Sequence, residues 1–120
     1  MTAMDKLKPR VKLWFKGEDA DGVFGDGKYR LLKSIEATGS LRAASELLHI
    51  SYRKAWGDLK KAQNALGIVL IDQHRGGSQG GRTVLTEQGK RWLDAYSHFR
   101  REVETAVQAS FERFAGEVGQ

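Results

Sequence analysis

Cysteine is absent from the 120 residues, which removes disulfides, thiolate catalysis and cysteine-bound zinc together. No apolar run approaches the length needed to cross a bilayer, and no stretch combines a basic start, an apolar centre and a small-residue cleavage site. The chain therefore reads as soluble and cytoplasmic. Catalytic signals are as sparse: His49, His74 and His98 lie in different segments, no His-x-x-x-His pair occurs, and no serine sits in a G-x-S-x-G elbow. No enzyme, metal site or cofactor is expected.

Two look-alike motifs are excluded on their chemistry. Asp19, Asp21 and Gly22 begin like a calcium loop, but the sixth and twelfth positions would be Phe24 and Arg30, where an EF-hand needs glycine and glutamate. Gly76 to Thr83 fits G-x-x-x-x-G-R-T, one residue from the P-loop. A P-loop must lead straight into a helix and needs lysine where Arg82 stands, whereas Val84-Leu85 looks extended.

What the chain does contain is positive charge in one place. Its net charge is +5, yet residues 28–91 hold twelve Lys/Arg against five Asp/Glu, leaving the remainder at eight against ten. Such a field supplies salt-sensitive affinity for phosphate backbones through counterion release, with base contacts adding selectivity.

The charge coincides with a helix-turn-helix pattern. Ser40 is a good N-cap for a segment with Leu41, Ala44, Leu47 and Leu48 on one face, and small Ala43 and Ala44 allow a second helix to come close. Leu48-His49-Ile50 interrupts the pattern. Ser51 then caps a second run with Ala55, Leu59, Ala62 and Leu66 as its apolar positions, closed by Gly67. At 100° per residue those four fall within roughly 60° of one another. Arg53, Gly57, Lys60, Lys61 and Asn64 lie opposite, Lys54 and Asp58 flank them, and Tyr52 and Trp56 sit nearer the core boundary. A helix with an apolar back, a cationic front and a glycine that admits close approach suits insertion in a major groove. An ordinary solvated surface helix would show the same amphipathy, so the flanking elements decide.

Before this unit, residues 1–10 read as a flexible basic arm around the only proline, Pro9. Val11, Leu13 and Phe15 alternate with Lys12, Trp14 and Lys16 as in a strand, returning through Val23-Phe24 after a turn over residues 17–22. A first helix follows Gly25-Asp26-Gly27, buries Leu31, Leu32 and Ile35, and closes at Thr38-Gly39. After the unit, Ile68 to Ile71 reads as a strand covered on both faces, and Val84-Leu85 as its partner. Between them the stretch from His74 to Arg82 carries four glycines and two arginines, Arg75 and Arg82, and no acid. Such a wing can reach along a phosphate backbone, or be a plain hairpin loop. Thr86 caps a last helix whose Trp92, Tyr96, Phe99, Val103, Ala106, Ser110 and Phe114 recur at spacings of four and three. At about 43 Å it is longer than a small domain can cover, so it is expected to pack on its own copy in a homodimer; the alternative is that its first half closes the wing's core and its second half awaits a further domain or partner.

The run GSLRAASELLHISYRKAWGDLKKAQNALG, with GGSQGGRTVLT and the preceding FGDGKYRLL, resembles the N-terminal DNA-binding domain of the ModE family of molybdate-responsive transcriptional regulators, and more distantly the LysR-type DNA-binding domain. The resemblance covers about residues 11 to 114. It implies a winged-helix homodimer joined largely through the long helix and bound to palindromic operator DNA near molybdenum-transport or molybdoenzyme genes. Full-length members continue into molybdate-binding domains of small β-barrel type. None can be assigned to these residues, so a separate molybdate-sensing partner is one expectation and no sensing at all is the other.

The expected fold is α+β, mainly α: a winged helix-turn-helix over residues 11–85, with an N-terminal β-hairpin, a long dimerisation helix over 86–114 and a tail over 115–120. Double-stranded DNA is the expected partner, met by Ser51, Tyr52, Arg53, Lys54, Gly57, Lys60, Lys61, Arg75 and Arg82. Trp92, Tyr96, Phe99, Val103 and Ala106 are the expected dimer contacts. The rival reading is a winged-helix protein-interaction module that does not recognise DNA.

Overall fold

The computed structural model describes residues 3–74 and 81–119. After a 3-10 turn at Ala3–Lys6, β1 (Trp14–Phe15) and β2 (Phe24–Gly25) pair antiparallel, with Phe15 opposite Phe24. Three helices follow: α1 (Asp26–Thr38), α2 (Leu41–Leu47) and α3 (Tyr52–Leu66). The wing is β3 (Ile71–His74) and β4 (Arg82–Leu85), registered from Ile71 opposite Leu85 to His74 opposite Arg82. The long α4 runs over Glu87–Val118, four residues beyond the expected 114 and into the presumed tail.

Local chemistry sets these boundaries. Ser40, Ser51 and Thr86 each accept the backbone N–H three residues on, from Ala43, Lys54 and Gly89, which satisfies a donor orphaned at a helix start. Gly39 and Gly67 end α1 and α3 in the left-handed region at φ of 72° and 70°. One core unites the elements: Leu31, Leu32 and Ile35 of α1, Leu41 and Ala44 of α2, Ala55, Leu59 and Ala62 of α3, and Phe24, Leu70, Ile71, Leu85, Leu93 and Tyr96 around them. Alanine at three of the inter-helix positions lets α2 and α3 settle closely against the rest.

Two expectations are corrected. Leu47 is 61% exposed, and Ser45 is buried in its place. Leu47 lies about 120° around the helix from Leu41, while Ala44, Ser45 and Leu48 stay within about 60° of it. Ser45 tolerates burial because its hydroxyl donates to the Arg42 carbonyl at 2.8 Å. Ile68 to Ile71 is not a two-sided strand either: only Ile71 joins β3, and Val69 is exposed. The backbone N–H groups of Leu70 and Ile71 donate to Gln63 Oε1 at 2.8 and 3.2 Å, and Leu70 O accepts from Thr86 N at 3.0 Å. The Leu70 and Ile71 amides are thus taken up by a side chain and not by a second strand, so the run is paired on one side alone and only from Ile71 onward. Gly89 completes the junction, because a Cβ at that position would collide with the Leu70 carbonyl.

The N-terminal hairpin is shorter than its sequence alternation, but the alternation holds in burial: Val11, Leu13 and Phe15 are half-buried between exposed Lys12, Trp14 and Lys16. The arm is not wholly without structure, since it contains the 3-10 turn, and Pro9 and Arg10 line a groove beside Arg100, Glu104 and Val107 of α4.

Candidate nucleic-acid interface

The outer face of α3 projects from the molecule. Its inner positions, Ala55, Leu59 and Ala62, are fully buried, while Arg53, Lys60 and Lys61 on the other side are exposed and bond to no described residue. The first turn divides its work. Ser51 spends an oxygen lone pair on the cap at 3.0 Å, which leaves its O–H free to donate outward. Lys54 pairs with Asp58 at 2.9 Å across one turn on a solvated flank, so part of its charge is already answered.

Gly57 sits mid-helix within this face, where glycine costs roughly 0.5–1 kcal/mol relative to alanine. Nothing inside the fold requires it. A Cβ built there meets no atom within 4 Å, and the backbone is not left-handed. Here glycine keeps the outer surface flat rather than relieving a clash, in contrast to Gly89.

On the wing side, Tyr52 joins three elements. Its ring lies under the Arg42 guanidinium, 4.8 Å from ring centroid to Cζ, and its hydroxyl accepts from Gln73 Nε2 of β3 at 3.3 Å. The wing is fastened at its base as well. Thr83 is buried; its N–H donates to the Gly39 carbonyl at 2.9 Å and its hydroxyl accepts from Leu41 N at 3.2 Å. Between these anchors is a cleft of about 220 Å³ with Arg42, Arg82, Tyr52 and Gln73 in its walls. Arg82 is exposed at the mouth of β4. Arg75 and the loop around it lie outside the described residues.

Sequence reasoning missed Arg42. Its only signal was position, since the second residue of a capped helix faces the same side as the start of the next one.

The expected dimer residues divide. Tyr96 is only 2% exposed and Trp92 half-buried, and both pack edge-on to Phe15 and Phe24 of their own chain, with Tyr29 also against Tyr96. The hairpin thus covers that part of the stripe: Tyr96 is enclosed by its own chain and leaves almost no surface for a second copy, while Trp92 keeps part of its ring open. Phe99 is at the margin, against Phe15 and Tyr96 but 39% exposed. Val103 is half-buried, Ala106 exposed, and farther on Phe114 and Val118 are 52% and 56% exposed.

Asp26 and Arg100, neither of them singled out by the sequence, lock α4 to the body. Asp26 accepts from Tyr96 Oη at 2.6 Å, from Arg100 Nε and Nη2 at 3.0 Å each, and from Leu13 N at 3.0 Å, while Arg100 also reaches the Val11 carbonyl at 3.1 Å. Burial by itself would raise the Asp26 carboxyl. Hydrogen bonds from Arg100, Tyr96 and the Leu13 amide, with the Arg100 charge, outweigh it and hold the group below its ordinary value. Burial followed by the Asp26 hydrogen bond pushes the Tyr96 phenol well above its usual range, so it stays a donor.

Known proteins share this architecture. A family model described as bacterial regulatory helix-turn-helix protein, lysR family, matches residues 27–90. The chain is 33% identical over 95 residues to the molybdenum transport protein ModE of Azotobacter vinelandii, covering 79% of this chain and 35% of that one. It is 34% identical over 79 residues to the transcriptional regulator ModE of Haemophilus influenzae, covering 66% and 31%. The chain thus spans about a third of the length of these curated relatives. Among solved structures, a chain of the CbnR_DBD–DNA complex superposes with a TM-score of 0.53 at 22% identity, over 76% of this chain and 95% of that one. The match runs from the first helix through the wing to the start of α4, more than half of the sequence, and on that ground the chain belongs to the lysR family of bacterial regulatory helix-turn-helix proteins.

Proposed function

We propose that the chain is the DNA-binding unit of a ModE-type transcriptional regulator that binds palindromic operator DNA as a homodimer in the cytoplasm and carries out no catalysis. The observation that carries this reading is the outer face of α3, where Arg53, Lys60 and Lys61 stand around a glycine that the fold does not need and bond to no described residue. Arg53, with Ser51, Tyr52, Lys54 and Gly57, reads base edges; Lys60, Lys61, Arg82 and Arg75 hold phosphate. The uncovered apolar part of α4, from Phe99 through Val103 and Ala106 to Phe114, is where the second copy packs. The names of the relatives support an operator near genes for molybdenum transport or use, with molybdate sensed by a separate part or partner. Half-sites are then about 10 bp apart or a multiple of that.

Selection of bound duplexes from a random pool tests the reading, followed by salt titrations of two variants. Arg53→Ala costs about 1–3 kcal/mol on the selected operator and relaxes its sequence preference. Arg82→Ala weakens every duplex alike and flattens the salt slope by about one. Recovery of no common motif, or wild-type affinity in both variants, rejects the assignment.

A further inference from the structure

A second groove, of about 550 Å³, runs along the flank of α3 that faces away from the wing, between the N-terminal hairpin, the start of α1 and α3 itself. The two flanks are distinct. Taking Ala55 as the inward direction, Tyr52 lies about 60° to one side, whereas Lys54 and Asp58 lie about 100° and 60° to the other. Both acids in the groove are answered, Asp58 by Lys54 and Asp26 by Arg100. Lys12, Lys28 and Arg30 in its wall have no carboxylate partner among the described residues, and Lys28 donates only to the neutral Gly22 carbonyl, at 3.2 Å. The groove thus presents uncompensated positive charge and begins at Lys54, on the first turn of the proposed recognition helix.

A helix in a major groove about 12 Å wide has a row of phosphates on each side. The wing can serve one row. We propose that the hairpin groove serves the other, with Lys12, Lys28 and Arg30 gripping the phosphate strand opposite the wing, so that the N-terminal hairpin is a second clamp on the duplex. This rests on the DNA-binding reading above.

The test is the double variant Lys12→Gln/Arg30→Gln, both side chains being exposed and free of hydrogen bonds to described residues, so that the fold is spared. Binding to the selected operator and to a scrambled duplex is measured across a salt series. Because each phosphate contact contributes about 0.9 to the slope of log K against log salt, the double variant flattens it by about two and leaves the operator preference unchanged. The single Lys12→Gln gives about half of that change. A wild-type slope in the double variant, with operator preference intact, overturns the groove alone. A wild-type chain that prefers no sequence overturns the DNA reading and the groove with it. Inorganic phosphate is the probe for the remaining source of such chemistry. If it saturates a Trp14-dependent fluorescence change that the double variant loses while the salt slope stays at wild type, the groove takes small anions and the clamp is rejected.

Discussion

Residues 87–100 and 101–118 belong to one unbroken helix, yet they live in different environments. The first stretch buries Leu93 and Tyr96, packs Trp92 and Phe99 against Phe15, and ends in the Asp26–Arg100 ion pair. The second has no fully buried residue and leaves Phe114 and Val118 open to solvent, with Phe111 and Phe114 in ring contact 6.1 Å apart. Periodicity writes both stretches alike. The difference is made by the hairpin, whose Phe15 and Phe24 cover the first and do not reach the second. From Phe99 onward, and mostly on the second stretch, apolar surface is left for another chain.

Substitution at matched aromatic positions separates these roles most sharply. Tyr96→Ala should destabilise the subunit by about 3–5 kcal/mol, as expected for an emptied core site. Phe114→Ser should change the unfolding free energy of the dilute subunit by less than about 0.5 kcal/mol, since the residue is exposed, while weakening self-association. Urea denaturation, with sedimentation at several concentrations, gives both numbers. Comparable stability losses at the two sites would erase the distinction between the halves.

The next effect in size concerns the lock between them. Asp26→Asn keeps the shape of the side chain but removes the charge that answers Arg100, and one-sided loss of a buried pair costs up to about 3–5 kcal/mol. This pair keeps some solvent contact, at 22% exposure for Arg100 and 11% for Asp26, so about 2–3 kcal/mol is expected. Its pH dependence follows from the sign of the shift. The folded carboxyl is held below its ordinary value, so its stabilising contribution is complete above the unfolded value of about 4 and is lost as pH falls through the lower folded value. Thermal melts from pH 6 down to 2 should therefore show a steeper decline for the wild type than for Asp26→Asn. Parallel curves would mean that Asp26 is not the charged anchor of α4.

The sequence made the helix ends legible because caps are local: Ser40, Ser51, Thr86, Gly39 and Gly67 each satisfy or release backbone groups within a few residues. The cationic face of α3 was legible for the same reason, since a helical wheel needs no tertiary information. What escaped depends on partners far along the chain. Asp26 meets Arg100 across 74 positions and Thr83 meets Leu41 across 42, and neither spacing leaves a periodic trace. The misplaced strand at Ile68–Ile71 has the same origin, because Gln63 and Thr86 bond its backbone from outside the apolar run. Arg42 was hidden because its meaning lies in the Tyr52 ring of the following helix.

The smallest effect sharpens the comparison at the interface itself, between two glycines of opposite purpose. Gly89 is required by the fold, since any Cβ there meets the Leu70 carbonyl, whereas a Cβ on Gly57 meets nothing. Gly57→Ala should therefore stabilise the free protein by about 0.5–1 kcal/mol through better helix propensity. If the flat face exists to let a duplex approach, the same methyl should weaken operator binding, so that stability and affinity move in opposite directions. Thermal denaturation and an operator titration on one preparation decide the matter. A variant that is more stable and binds equally well would show that the glycine has no contact to protect, and would place the base-reading surface elsewhere on α3.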